Sequence, residues 1–168
     1  EQYKDIFLGT DLSFTVDDLT VDSSASKNLR DQAGSFTDLT FGYVVKSDKR
    51  NRRFMPTDGH VVSFRQNLPV VADTRSIFNA FRYRTYHSFS ENLIGAMKFY
   101  GAAINSLGDD DVRLSKRLQL GRTHLRGFEA GKVGPKDGED FIGGNYVSAI
   151  NFEASLPNLL PERTETDI

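Results

Sequence analysis

Six stretches of this chain alternate in character from one residue to the next, and in each one face is free of charge apart from a terminal position. Side chains of an extended strand point to opposite sides in turn, so a period of two marks a sheet with two unlike faces. Between Lys4 and Val16 one side carries Ile6, Leu8, Leu12, Phe14 and Val16, and the other Asp5, Asp11 and Ser13. Ser35 to Ser47 sets Leu39, Phe41, Tyr43 and Val45 against Asp38, Gly42 and Lys46. His60 to Val70 sets Val62, Phe64, Leu68 and Val70 against Ser63, Arg65 and Asn67. Arg75 to Phe89 sets Ile77, Phe81 and Tyr83 against Ala80, Arg82 and Arg84. Leu93 to Asn105 sets Leu93, Met97, Phe99 and Ala103 against Lys98, and Asn145 to Leu156 sets Tyr146, Ile150, Phe152 and Ala154 against Asn151, Glu153 and Ser155.

Most of these stretches run about 11 to 15 residues. That is longer than the roughly five or six usual in soluble sheets and sufficient for a tilted strand to cross a bilayer. Long polar connections are expected at 17–34 and 106–144, a basic turn at 48–59 with Lys49, Arg50, Arg52 and Arg53, a reversal over 69–74, and a tight turn at Ser90-Glu91-Asn92. On alternation alone a two-sheet sandwich fits as well as a barrel, since its apolar face also turns one way. Strand length favours the barrel, and so do charges on the second face, which suit a wet lumen.

Composition narrows the functional classes. No window approaches the ~18 apolar residues of a helical membrane span, which says nothing of strands. The 14 glycines against 5 prolines, and 13 phenylalanines with 6 tyrosines, suit strands and turns. A net charge of −2 gives no electrostatic case for nucleic acid. With no cysteine there is neither disulfide nor thiolate chemistry. His60, His87 and His124 share no metal-ligand spacing, and Asp109-Asp110-Asp111 lacks the pattern of a calcium loop and reads as an exposed acidic tip. Gly131-Lys132 lacks the glycine pattern of a phosphate loop, and no nucleophile elbow is present. The chain is expected to be non-enzymatic, with no cofactor and no metal.

Within the long connection, Gly121 is followed by Leu125-Arg126-Gly127-Phe128, then Gly134-Pro135 and Gly143-Gly144-Asn145. Upstream stands Phe54-Met55-Pro56-Thr57-Asp58-Gly59, and downstream Phe152-Glu153. In this order and spacing the residues resemble the conserved sixth loop, turn and following strand of the BamA superfamily of outer-membrane assembly factors. The resemblance covers roughly residues 36–161. The four-residue motif alone is weak; four ordered matches falling where the strand map needs them are strong.

The resemblance implies an all-β fold, a partial antiparallel transmembrane barrel over 1–168, with the loop at 106–144 folded back inside. The whole would add POTRA modules, the first strands and the last strands, to about sixteen strands in all. Arg126 would point into the lumen and pair with Glu153 and with an aspartate expected beyond Ile168. A planar guanidinium can bridge two carboxylates. Gly127 would allow a turn that a Cβ would obstruct, and Phe128 would wedge the loop tip against the inner wall. The implied function is folding and insertion of nascent outer-membrane β-barrel proteins in a Gram-negative outer membrane. The implied partners are those clients, accessory assembly lipoproteins and outer-membrane lipid. A TamA-like factor or a two-partner secretion transporter shares the motif. A passive porin or a soluble ligand-binding β-domain is the reading from another class.

Overall fold

The computed structural model describes residues 2–3, 5–23, 30, 32–109 and 111–157. Six long strands follow one another: β1 Ile6–Leu19, β2 Gly34–Asp48, β3 Gly59–Ala72, β4 Ser76–Ser90, β5 Leu93–Ser106 and β6 Tyr146–Ser155. Each pairs antiparallel with the next, in chain order, and Gln2–Tyr3 adds a short pairing to the start of β1. The sheet is an open meander whose outer long strands are β1 and β6. A 3₁₀ turn, Leu114–Lys116, lies in the connection that follows β5.

Register puts the alternating residues into common rows, because directly opposed residues of an antiparallel pair share a face. Leu8, Val45, Phe64 and Phe81 form one row, and Tyr83, Phe99 and Ile150 another. Among the described residues no second layer covers this apolar face. Leu12, Phe14, Val71 and Ile150 are exposed, and Phe152 is 75 % exposed. A sandwich would cover these side chains with another sheet; here they face outward, as lipid-facing residues of a barrel do. The enclosed apolar residues, Ala80, Ala102, Ile104 and Val112, are few and lie on the loop-bearing face or in the loop itself.

Apart from Asp18 near the end of β1, the outward face is free of charge but not of polar groups. Tyr43 Oη donates to Gln66 Oε1 at 3.0 Å, Gln66 Nε2 donates to Asn79 Oδ1 at 2.6 Å, and Tyr146 Oη donates to Asn105 Oδ1 at 2.6 Å. Polar atoms facing hydrocarbon must find partners within the protein, and these find one another across neighbouring strands. On the opposite, inner face Arg65 Nη2 reaches both Asp11 carboxylate oxygens, at 2.8 and 2.9 Å, over Gly42. A Cβ on Gly42 would lie 2.7 Å from Asp11 Oδ2.

Two boundaries differ from the sequence expectation. The reversal expected over 69–74 is confined to the residues between Ala72 and Ser76, because β3 continues through Pro69. The register shifts between Leu39 and Thr40, so that Val70 is an extra residue beside Pro69. A bulge tolerates the missing proline N–H. β1 likewise runs past Val16 to Leu19, and Lys4, the expected start, lies outside the described residues.

Candidate functional site

The site is a loop laid along the inner face of the sheet, tied at its root and touching the wall at its tip. The root leaves β5 and is drawn toward β1 and β2. Arg113 is 5 % exposed and Asp38 3 %, the only charged groups so enclosed among the described residues. Arg113 Nη2 lies 3.1 Å from Asp17 Oδ2 and 3.5 Å from Asp38 Oδ2, and its guanidinium sits 3.9 Å over the Phe36 ring. Lys116 Nζ is 2.7 Å from Asp38 Oδ2. Leu118 and Gly144 exchange backbone bonds of 2.8 and 2.9 Å, which closes the loop upon itself before β6 begins.

The tip lies against β5 and β6. The His124 imidazole stacks on Tyr100 with centroids 3.9 Å apart, and its carbonyl accepts a bond from Asn151 Nδ2 at 3.1 Å. Two residues on, Arg126 Nη2 is 3.5 Å from Glu153 Oε1, while Lys98 Nζ holds the other oxygen, Oε2, at 2.6 Å. Glu153 is thus shared by two cations, and Lys98 is the nearer. Arg126 is 79 % exposed. An ion pair so open to water is worth about 0–1 kcal/mol, so Arg126 contributes direction more than strength in this arrangement.

The remaining motif residues fall into place unevenly. Leu125 is half-buried. Gly127 has a φ of +84° with nothing within 4 Å of an added Cβ. Its requirement for glycine therefore comes from backbone handedness and not from the obstruction anticipated. Phe128 is 58 % exposed, so the wall made by these six strands does not receive its ring as the expected wedge. Pro135 accepts from the Ile142 N–H at 3.1 Å, Asn145 accepts from the Ile104 N–H at 2.8 Å, and Gly143 has a φ of +67°. Gly134 also takes a positive φ, whereas around Gly121 there is open space. Pro56 and Asp58 belong to the turn between β2 and β3 and Gly59 opens β3, all away from the loop root. In that turn Asn51 Oδ1 accepts from the N–H groups of Thr57 and Asp58. Asp109 and Asp111 are exposed, as an acidic tip should be, and Asp110 lies outside the described residues.

Sequence reasoning missed the root contacts, the His124–Tyr100 stack and the part played by Lys98. Alternation had placed Asp38 and Lys98 on the inner face. No linear signal named Arg113, Lys116 or His124 as what meets that face.

His124 makes the tip sensitive to pH. Burial, and then the positive charges of Arg82 and Arg84, push its pKa below that of an ordinary histidine. Lys98 and Glu153 on the wall, and Arg122, Arg126 and Glu129 on the loop, are the other charged groups near the tip. A freed loop titrates near the ordinary value, about 6.5, so below that pH the freed state binds more protons than the docked one. Docking is therefore at full strength above about pH 6.5 and weakens as pH falls through that value. Protease cleavage within 121–130 should accelerate between pH 7.5 and 5.5, and His124→Phe should abolish that dependence while keeping the stack.

The fold and this in-folded loop define a class. A family model for the Omp85 superfamily domain matches residues 4–166, and the chain belongs to that superfamily. Its six strands are part of a barrel of that kind. Among relatives, it is 29 % identical over 142 residues to a SAM50-like protein of Schizosaccharomyces pombe, covering 79 % of this chain and 30 % of that protein. It is 23 % identical over 139 residues to the outer membrane protein assembly factor BamA of Nitratidesulfovibrio vulgaris, covering 79 % of this chain and 18 % of that one. The crystal structure of BamA from Haemophilus ducreyi lacking POTRA domains 1–3 superposes with a TM-score of 0.80 at 19 % identity, over 96 % of this chain and 36 % of that one. The chain thus spans less than a third of the length of these two relatives.

Proposed function

We propose that these strands belong to a non-enzymatic machine that folds and inserts β-barrel proteins into an outer membrane. The observation that carries this reading is the loop on the inner face, with Arg126 directed at Glu153, in a chain of the Omp85 superfamily. The clients are nascent outer-membrane β-barrel proteins, which would pair their strands with an opened edge of the barrel. Accessory assembly lipoproteins and outer-membrane lipid complete the expected partners. The residues described here act indirectly, by keeping the loop on the wall. A second carboxylate for Arg126, an aspartate on the strand after Ile168, would complete the clamp.

The membrane we assign is the outer membrane of a Gram-negative bacterium, on the likeness of the loop and barrel to BamA. A second reading, the mitochondrial outer membrane, is favoured by the higher identity to the fission yeast relative.

Complementation of a depletion strain tests the function. The full-length gene should restore assembly of other barrel proteins, and Arg126→Ala should reduce their steady-state level severalfold, with the loop more open to protease. Full complementation by Arg126→Ala with unaltered loop protection would refute the role given to the loop.

A further inference from the structure

The residue that holds the loop hardest lies outside its recognised motif. From the end of β5 the loop root turns back across the mouth of the sheet. Within a few residues it touches β1 through Asp17, β2 through Asp38 and Phe36, and the segment joining β3 to β4 through the Thr74 carbonyl, which accepts from Lys116 Nζ at 3.4 Å. The Leu114 N–H donates to Gln32 Oε1 at 2.7 Å, just ahead of β2. Val112 and Arg113, with Gly143, are the buried residues of the loop among those described. The tip contact at Glu153 lies opposite Ala96, near the other end of β5. Root and tip are therefore separated by most of a strand, roughly 30 Å at ~3.3 Å per residue.

We propose that Arg113 is a positioning residue: with Asp38, Asp17 and Lys116 it forms a root latch that fixes where the loop enters the lumen, so that Arg126 arrives at Glu153. Two cations and two carboxylates balance in charge. Arg113 Nε, Arg113 Nη1 and Asp38 Oδ1 are buried without a hydrogen-bond partner among the described residues. When Arg113 is lost, buried Asp38 keeps only Lys116, and when Asp38 is lost, buried Arg113 keeps only Asp17; either survivor is enclosed with fewer partners than it had, which is costly in a site already incompletely satisfied. The latch therefore seats or releases as a unit. The exposed Arg126 pair cannot act in this way, since either partner recovers solvation when it parts. The latch gives the loop its place, and the motif reads that place out. Its value for assembly rests on the function proposed above.

The test uses the full-length protein, in which a single cysteine can report on the tip because these 168 residues contain none; any cysteine elsewhere in the chain is first replaced. With Thr123→Cys as reporter, the rate of maleimide labelling measures tip exposure. Retention of the folded band in unheated SDS gels shows that the barrel is intact. Arg113→Ala should raise labelling at least tenfold, as far as Glu153→Ala does, with the folded band retained. Asp38→Leu combined with Arg113→Leu should restore part of the protection, because both fully enclosed charges are gone and the Asp17 and Lys116 that remain are partly exposed to water. If Arg113→Ala does not fold, Arg113→Lys, which keeps charge but loses the fork and the Phe36 stack, should raise labelling severalfold. Labelling at the wild-type rate in a folded Arg113 variant overturns the latch. The functional reading fails separately: a freed tip with undiminished client assembly leaves the latch standing and removes its role in assembly.

Discussion

Glu153→Lys should release the loop tip from the wall and leave the sheet intact. Glu153 faces both Lys98, at 2.6 Å, and Arg126, at 3.5 Å. Reversing its charge removes two attractions and creates two repulsions within the same few ångströms. A unit-charge contact at that distance amounts to about 4 kcal/mol in an effective dielectric near 20. Solvent screening at the open Arg126 side cuts this heavily, and roughly 2–3 kcal/mol is the expected net loss. That is about a hundredfold shift toward the undocked loop, read as faster proteolysis within 121–130 of the full-length protein. Glu153→Gln removes the attractions without the repulsion and should lie between. The folding of β6 should be unaffected, because its backbone pairing with β5 runs from Tyr146 to Ser155 irrespective of this side chain.

Gly59→Val should cost as much by a different route. Gly59 has a φ of +91°, and a Cβ there would run into the backbone carbonyl of Lys49, with Arg50 Cα at 2.9 Å. Neither obstacle is a side chain that can swing aside. The Lys49 N–H to His60 carbonyl bond, 2.8 Å, closes the same turn and would be pushed apart. Left-handed strain of about 1–3 kcal/mol for a β-branched residue, with about 1 kcal/mol for the bond, gives a loss on the order of 3 kcal/mol. The temperature at which the folded band of full-length protein disappears from SDS gels should fall by several degrees. Gly121→Ala is the matched control. Gly121 has open space and takes no positive φ, so that temperature should not move.

These two expectations differ in how far the sequence could have supplied them. Gly59 closes a motif that was legible, and alternation located Glu153 on the inner face without reference to the loop. The long strands, their faces and their order were likewise legible, because one apolar and one charged side is a period-two signal that survives without tertiary knowledge. The edges of β1 and β3 were not. Asp17 reads as the start of a polar loop but is held in the strand, its carboxylate against Arg113, and the extra residue at Val70 hides Pro69 in a bulge.

Contacts that depend on the path of the loop were not legible at all. Arg113 and Asp17 are 96 residues apart in the chain, and nothing in local composition distinguishes Arg113 from the exposed Arg122. Phe128 shows the reverse error. A motif predicts an inward ring, yet the wall that these strands supply does not meet it. The motif names residues near the tip, whereas the anchorage of the loop in this chain is decided by burial at its root.

Under the function proposed above, this barrel inserts other barrels and needs its loop on the wall to do so. Full-length protein reconstituted in lipid vesicles, with an unfolded β-barrel client added from urea, tests it most directly. The wild-type protein should speed client folding at least tenfold over empty vesicles, and Arg126→Ala combined with Glu153→Ala should lose most of that gain while remaining folded. Client folding no faster with wild-type protein than in empty vesicles, or equally fast with the double variant whose loop is shown to be free, would contradict it.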